Sequence, residues 1–63
     1  MRTKIYIRRD GQTTTLFSSE SPDDLTDRLV GTENSFLIIK SGRERFAVNL
    51  TGVLLLEFIP DGR

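Results

Sequence analysis

The C-terminal segment, residues 52–60, constrains the fold most, because it is strand-like and apolar on both faces. Alternate side chains of a β-strand point to opposite sides of its sheet. Here one set is Val53, Leu55 and Ile59, with Glu57 as the one polar member, and the other is Leu54, Leu56 and Phe58. A domain of this size buries only about 60% of the surface that its unfolded chain exposes. The sequence therefore predicts that a partner covers one face of this strand, most simply a second copy of the chain.

The composition limits how so small a domain can be stabilised. The chain has no Cys and no His, which excludes disulfide bonds, thiolate chemistry and the common zinc sites. Oligomerisation is the usual device that remains, so we expect a homo-oligomer without a cofactor. No stretch has the apolar length of a signal peptide or a membrane span. We expect one cytoplasmic domain over residues 1–63, with residues 60–63 as a loose tail.

The N-terminal part has the pattern of a β-hairpin. Residues 3–8 alternate between apolar and polar side chains, which predicts a strand with one buried face. Asp10-Gly11 follows, and this dipeptide favours a tight turn because glycine adopts positive φ without steric cost. The β-branched and aromatic residues 13–17 then predict the returning strand.

Several signals agree on one short helix after this hairpin. Ser21 suits the N-cap and Pro22 the first helical position, where no N–H is needed. Leu25 and Leu29 are spaced to form a narrow apolar stripe, and Gly31 is a typical C-terminal stop. A helix of this length does not hold in water alone, so we expect it to pack on the sheet.

Three further strands are predicted, at residues 35–40, 45–50 and 53–59. The last is expected to end before Pro60, which has no N–H to donate to a ladder. The fold class is therefore α+β and mostly β, with five short, largely antiparallel strands in the order β-β-α-β-β-β and the helix on the sheet. We expect the third strand to be central. The same order also suits a small SH3-like or Sm-like barrel.

Nothing in the sequence favours an enzyme. His and Cys, two of the commonest catalytic side chains, are absent. The acidic cluster Asp23, Asp24 and Asp27 lies at the predicted helix start, where stabilisation of the helix dipole explains it better than metal binding does. We therefore expect no catalytic residue and no metal site.

The arginines are the best candidates for binding an anion. Arg8 and Arg9 flank the first predicted turn, and Arg43 and Arg45 lie at the second. Arginine presents a planar fork that matches phosphate, and Tyr6 offers a ring on which a base can stack. The net charge is zero, so the competing interpretation is that these charges are solvated and protect sheet edges.

The sequence is compatible with three functions. The first is a small homo-oligomeric binding or regulatory protein, of the adaptor or inhibitor type, acting through protein–protein contacts. The second is a nucleic-acid-binding or nucleotide-binding protein that uses the arginines at the hairpin ends. The third is a purely structural self-assembling subunit. For self-association we expect the interface to contain Leu37, Ile39, Leu54, Leu56 and Phe58.

Overall fold

A computed structural model describes residues 2–61 of the chain. Within them the elements follow the order that the sequence predicts, so the mostly β, α+β class is confirmed. The elements are β1 (Arg2–Arg9), β2 (Gln12–Ser18), α1 (Pro22–Gly31), β3 (Phe36–Ser41), β4 (Glu44–Asn49) and β5 (Leu55–Asp61).

The strands form two antiparallel sheets. β1 is the centre of a three-stranded sheet with the order β2-β1-β5, and β3 pairs with β4 in a two-stranded sheet. The sequence predicts a central third strand, but among the described strands β3 has only one neighbour, β4. The last strand pairs with the first. The two sheets share no ladder within residues 2–61, so an SH3-like barrel is not confirmed.

Both hairpins turn where the sequence predicts. Asp10 and Gly11 have φ of 51° and 76°, the pair of positive values that a type I′ turn requires. In the second hairpin Ser41 is opposite Glu44, and Gly42 has a φ of 59°. These short loops fix the registers of β1 with β2 and of β3 with β4.

The helix begins as its sequence predicts. Ser21 has extended backbone angles, and its Oγ accepts a hydrogen bond from the Asp24 N–H at 3.1 Å. Pro22 starts the helix, where its missing N–H costs nothing. Leu25 is fully buried, so α1 is held by packing its apolar stripe against the strands.

The bounds of β5 differ from the prediction at both ends. Val53 and Leu54 lie in the preceding loop, and the strand continues through Pro60 to Asp61. Pro60 is opposite Thr3. The backbone N–H and C=O of Thr3 face β2, so Thr3 and Pro60 form a pair without hydrogen bonds between them. The proline nitrogen therefore points to the open edge, and no ladder bond is lost. The rest of the predicted tail, residues 62–63, lies outside the described residues.

The core lies between the two sheets and α1. Its fully or almost fully buried members are Ile5, Ile7, Leu25, Leu37 and Ile39. Leu37 and Ile39 are 0% exposed within the single chain, so they are unavailable to a second copy, and that part of the predicted self-interface is corrected. The exposed side of β3 carries Phe36 and Ile38 instead. The sequence missed this because β3 is apolar on both faces.

Candidate protein-binding surface

An apolar groove of about 210 Å³ opens where the end of α1 meets the loop before β5. We call it the leucine groove; it is lined by Leu29, Leu50, Val53, Leu54, Leu55 and Leu56. Most of these side chains are half-buried and pack against the core, but Leu54 is 81% exposed and Leu55 is 45% exposed. The groove thus has a firm apolar floor and an apolar rim that faces solvent.

The loop that carries the rim is tied to the rest of the chain. The Val53 N–H donates to the Leu50 carbonyl at 3.1 Å, which closes a tight turn around Gly52, whose φ is 78°. The Leu54 N–H donates to the Arg8 carbonyl at 2.9 Å. Leu54 therefore combines an anchored backbone with a side chain that is mostly uncovered within residues 2–61.

The helix adds an exposed apolar residue and negative charge. Val30, next to Leu29 in the last turn of α1, is 81% exposed. Asp27 and Asp23 precede it by three and seven positions, spacings that place all three side chains along one side of a helix. Apolar and acidic groups are thus presented side by side on the outer face of α1.

The other predicted interface residues take different places. Leu56 and Phe58 face the same side of the sheet as Ile7 and Ile5, their register partners, and are half-buried against the core. Only Leu54 of the predicted set offers most of its side chain to solvent. Whether these residues contact a second copy stays a prediction.

The predicted anion cluster is split between two faces. Arg9 and Arg45 line one groove of about 480 Å³ between the first hairpin and β4. Arg8 and Tyr6 have the opposite parity in β1 and point to the outer face of the three-stranded sheet. Arg43 lies exposed in the second turn. The structure therefore joins one pair of these residues in a groove and places the tyrosine with Arg8 elsewhere.

The two arginines of that groove are already bound to backbone carbonyls. Arg9 donates through Nη2 to the Asn49 carbonyl, and its Nε is buried without a hydrogen-bond partner. Arg45 donates through Nη1 to the carbonyls of Gly42 and Glu44, at 3.1 Å and 3.0 Å. These contacts hold one terminal nitrogen of each guanidinium in place.

A cationic and aromatic cluster lies on the outer face of the three-stranded sheet. The Arg2 guanidinium is 4.3 Å from the centre of the Phe17 ring. Lys4 Nζ is 5.7 Å from the Tyr6 ring centre and 6.0 Å from that of Phe17. Sequence reasoning missed Arg2, Lys4 and Phe17, because the cluster requires the register that sets Lys4 opposite Phe17.

Polar groups from four residues cover the free edge of β3; we call Ser18, Ser19, Glu20 and Arg28 the β3 edge cluster. Arg28 donates through both terminal nitrogens to the Glu20 carboxylate and through Nη1 to the Ile38 carbonyl at 2.9 Å. The Lys40 N–H donates to Glu20 Oε1 at 3.0 Å. Side chains thus replace the strand that would otherwise pair with this edge.

The same contacts shift the pKa values of the ion pair. The Arg28 hydrogen bonds lower the pKa of Glu20 below its ordinary value of 4.5, aided by the Lys40 N–H and opposed by partial burial. The Glu20 carboxylate raises the pKa of Arg28. The pair is consequently charged on both sides at neutral pH.

Serine hydroxyls complete this cluster. Ser18 Oγ donates to the Lys40 carbonyl at 2.7 Å and accepts from the Glu20 N–H at 3.0 Å. The Ser19 N–H reaches the same carbonyl at 3.0 Å. Thr3, opposite Ser18 in the register, donates to the Glu20 carbonyl at 2.6 Å. These buried or half-buried polar groups are therefore satisfied, and the cluster has a structural explanation.

Comparisons with protein-family models, with curated proteins and with solved structures each found no match. Among the described residues, no helix has the length and apolar character needed to cross a bilayer. The functional proposal therefore rests on the surfaces of the chain itself.

Proposed function

We propose that this chain is a small non-enzymatic binding protein that acts through protein–protein contacts, with the leucine groove as its contact surface. The observation that carries this proposal is Leu54, whose backbone is anchored to β1 while its side chain is 81% exposed. Because the backbone at this position is already fixed, binding through this side chain costs little further backbone entropy. Such a residue is a typical interface anchor.

The energetics favour a partner that covers the whole groove. Burying an exposed leucine or valine side chain contributes roughly 1.5–3 kcal/mol. Association costs about 4–15 kcal/mol in lost translational and rotational freedom. Leu54 and Leu55 together reach only the lower part of that range, so the half-buried lining of the groove must also lose its remaining contact with water.

The acidic side of α1 defines the partner further for a segment that extends beyond the groove. Asp23 and Asp27 lie on the same side of α1 as Val30 and away from the groove-lining Leu29, so a segment that runs from the groove over the helix meets apolar groups first and acidic groups next. The complementary partner is a protein segment with two or more large apolar side chains flanked by lysine or arginine. Charge complementarity of this kind contributes more to association rate and selectivity than to affinity.

Peptide selection tests this proposal directly. A library of random linear peptides is displayed and selected on the immobilised protein, and the enriched peptides are synthesised. We expect leucine or aromatic anchors next to basic residues, and we expect Leu54→Ser to weaken their binding at least tenfold. The matched control is Ile38→Ser, which changes an exposed apolar side chain on β3 and should leave binding unchanged.

Backbone amide spectra locate the contact independently. Addition of an enriched peptide should shift the resonances of residues 50–56 and of the end of α1. Equal binding to wild type and to Leu54→Ser, or shifts confined to β3 and β4, would contradict the leucine groove as the contact surface.

The outer face of the three-stranded sheet supports a second candidate function, the binding of single-stranded nucleic acid. Tyr6 and Phe17 are ring platforms, and Lys4 lies over both, which is the combination that single-stranded sites use. A fluorescent oligonucleotide should lose affinity steeply between low and moderate salt. Lys4→Ala with Tyr6→Ala should abolish retention, whereas Arg43→Ala, at the distant turn, should not.

A further inference from the structure

Within residues 2–61 the two sheets have four outer edges, and three of them carry at least one feature that hinders pairing with another strand. The β3 edge is occupied by its edge cluster. The β4 edge carries the charge of Arg45, and the Asn49 carbonyl on it is taken by Arg9. The β5 edge includes Pro60, whose nitrogen has no proton to donate. Charges, proline and covering side chains are the devices by which proteins prevent edge-to-edge association.

The remaining edge, that of β2, has none of these devices. The strand Gln12–Ser18 contains no charged residue and no proline, and its segment from residue 12 to residue 15 is exposed throughout. Three consecutive threonines give it high β-propensity. An exposed, uncharged and β-branched edge is a template for pairing with another chain.

The hydrogen-bond pattern shows which β2 groups face outward. The Leu54 N–H donates to the Arg8 carbonyl, so Arg8 bonds toward β5, and its neighbours in β1 bond toward β2 by alternation. The partners of those neighbours include Gln12 and Thr14. The N–H and C=O groups of Thr13 and Thr15 therefore point away from β1, into the open edge.

We propose that two copies of this chain form a dimer by pairing their β2 strands antiparallel about a two-fold axis at Thr14. In this register Thr13 of each copy exchanges main-chain hydrogen bonds with Thr15 of the other. The three-stranded sheets then join into one continuous sheet across both copies. Pairing of this kind is isologous, so it closes at two copies and leaves no β2 edge open.

The choice of axis follows from the two ends of β2. The threonine run reads the same in both directions about its centre, so threonine meets threonine at each step, a pairing that stabilises adjacent strands. An axis nearer Ser18 is disfavoured because Ser18 and Ser19 already bond to the Lys40 carbonyl. An axis nearer Gln12 would shorten the ladder.

The choice of a second copy follows from charge. A foreign strand is usually selected by side-chain complementarity, but residues 12–18 offer no charge for a foreign partner to match. The strand is self-complementary as it stands. The leucine groove lies on the β5 side of the sheet, away from β2, so the dimer presents two copies of the proposed protein-binding surface.

Light scattering with two matched variants tests the dimer. We expect wild type to have twice the 7.2 kDa mass of one chain. Thr15→Pro removes an outward donor without touching the β1 ladder, as Pro60 does on β5, and should give the mass of one chain. Thr15→Val keeps the N–H and the branched side chain, and should remain dimeric. Circular dichroism verifies that both variants are folded.

Cysteine cross-linking tests the register without relying on a destabilising change. The chain has no Cys, so an introduced thiol reports alone. Thr14→Cys places the two introduced thiols directly opposite each other across the axis. Opposed residues of this non-hydrogen-bonded kind have Cα atoms about 4.5 Å apart. That separation is within the range that a disulfide bond spans. We expect rapid covalent dimers with Thr14→Cys and slow ones with Thr26→Cys on the exposed side of α1.

Three results would overturn the inference: a wild-type mass of one chain at high concentration, a Thr15→Pro mass that stays doubled, or equal cross-linking of the two cysteine variants. A dimer lost in Leu54→Ser but kept in Thr15→Pro would place self-association in the leucine groove instead. Loss of peptide binding in Leu54→Ser with an intact dimer supports both proposals, since the two surfaces are separate.

Discussion

The outer edges of β3 and β2 differ in whether other parts of the chain cover their main-chain groups. On β3, Glu20 and Arg28 bond to the main-chain groups of Lys40 and Ile38 as a neighbouring strand would. On β2, the outward groups of the threonine run have no strand beside them within residues 2–61. One edge is closed from within the chain, and the other is left for association.

The difference shows that the open β2 edge does not result from the small size of the domain, because the same chain covers the edge of β3. Ser18, the last residue of β2, and the two residues after it close the β3 edge. The segment that leaves the β2 edge open is therefore adjacent in the chain to the segment that covers β3. The connection to α1 then brings Arg28 back to the same place. Measurements of the free energy of unfolding, at concentrations where the single chain predominates, test how strongly each edge depends on its side chains.

Removal of the Glu20 carboxylate should have the largest effect. Glu20→Ala leaves Arg28 without its partner and the Lys40 N–H without its acceptor, so the free energy of unfolding should fall by about 2–3 kcal/mol. Urea denaturation measures it. Glu33→Ala removes an exposed acid of the same charge outside the cluster and should change stability by less than about 0.5 kcal/mol. Equal losses in the two variants would show that the cluster does not stabilise β3.

Loss of the buried hydroxyl at the same edge should have an intermediate effect. Ser18 is 1% exposed and bonds both to the Lys40 carbonyl and to the Glu20 N–H, so Ser18→Ala should cost about 1–2 kcal/mol. Ser19→Ala, whose exposed hydroxyl contacts the same carbonyl at 3.3 Å, should cost less than about 0.5 kcal/mol. The reverse order would contradict the assignment of Ser18 as the buried member.

Acid should weaken the β3 edge cluster by a smaller amount. Because the pKa of Glu20 is lowered in the folded state, its stabilisation is complete above pH 4.5, the ordinary value in the unfolded chain, and is lost as pH falls through the folded pKa. Unfolding is compared between wild type and Glu20→Gln from pH 7 to pH 2. The stability advantage of wild type should shrink below pH 4.5; an advantage independent of pH would exclude the ion pair as its source.

A charge on the β2 edge should have the smallest effect on the single chain. Thr13 is exposed, so Thr13→Lys should change the free energy of unfolding by less than about 0.5 kcal/mol. The same substitution supplies the charge that protects natural edges, and should lower the tendency to dimerise. A large loss of stability in the monomer would mean that this edge already has a partner within the chain.

Local features of the fold could be predicted because local residues decide them. The first turn follows from the positive φ that Asp10-Gly11 tolerates, and the helix start follows from Ser21 and Pro22, each within one turn of the backbone it fixes. The alternation of β1 likewise identified Ile5 and Ile7 as the buried side. None of these depends on distant parts of the chain.

The sites were predicted less well, because they depend on pairings between distant segments. Leu54 was named from its strand-like run, but its exposure results from a loop anchored on β1. The β3 edge cluster was missed altogether, since Glu20 and Arg28 meet only when α1 folds back toward β3. The prediction placed Leu37 and Ile39 of β3 on the exposed face, but they are buried. The two faces could not be distinguished from the sequence, because Phe36 and Ile38 on the other face are equally apolar.

The sequence by itself determined the order of helix and strands along the chain, the helix start and the turns. Backbone conformations and side-chain periods of a few residues set these features. Only the tertiary structure decided that the last strand pairs with the first, that the strands divide into two sheets, and which edges are closed. With both faces of β3 and of residues 53–59 apolar, hydrophobicity alone leaves several arrangements close in energy. The choice between them comes from hydrogen bonds and packing among residues far apart in the chain.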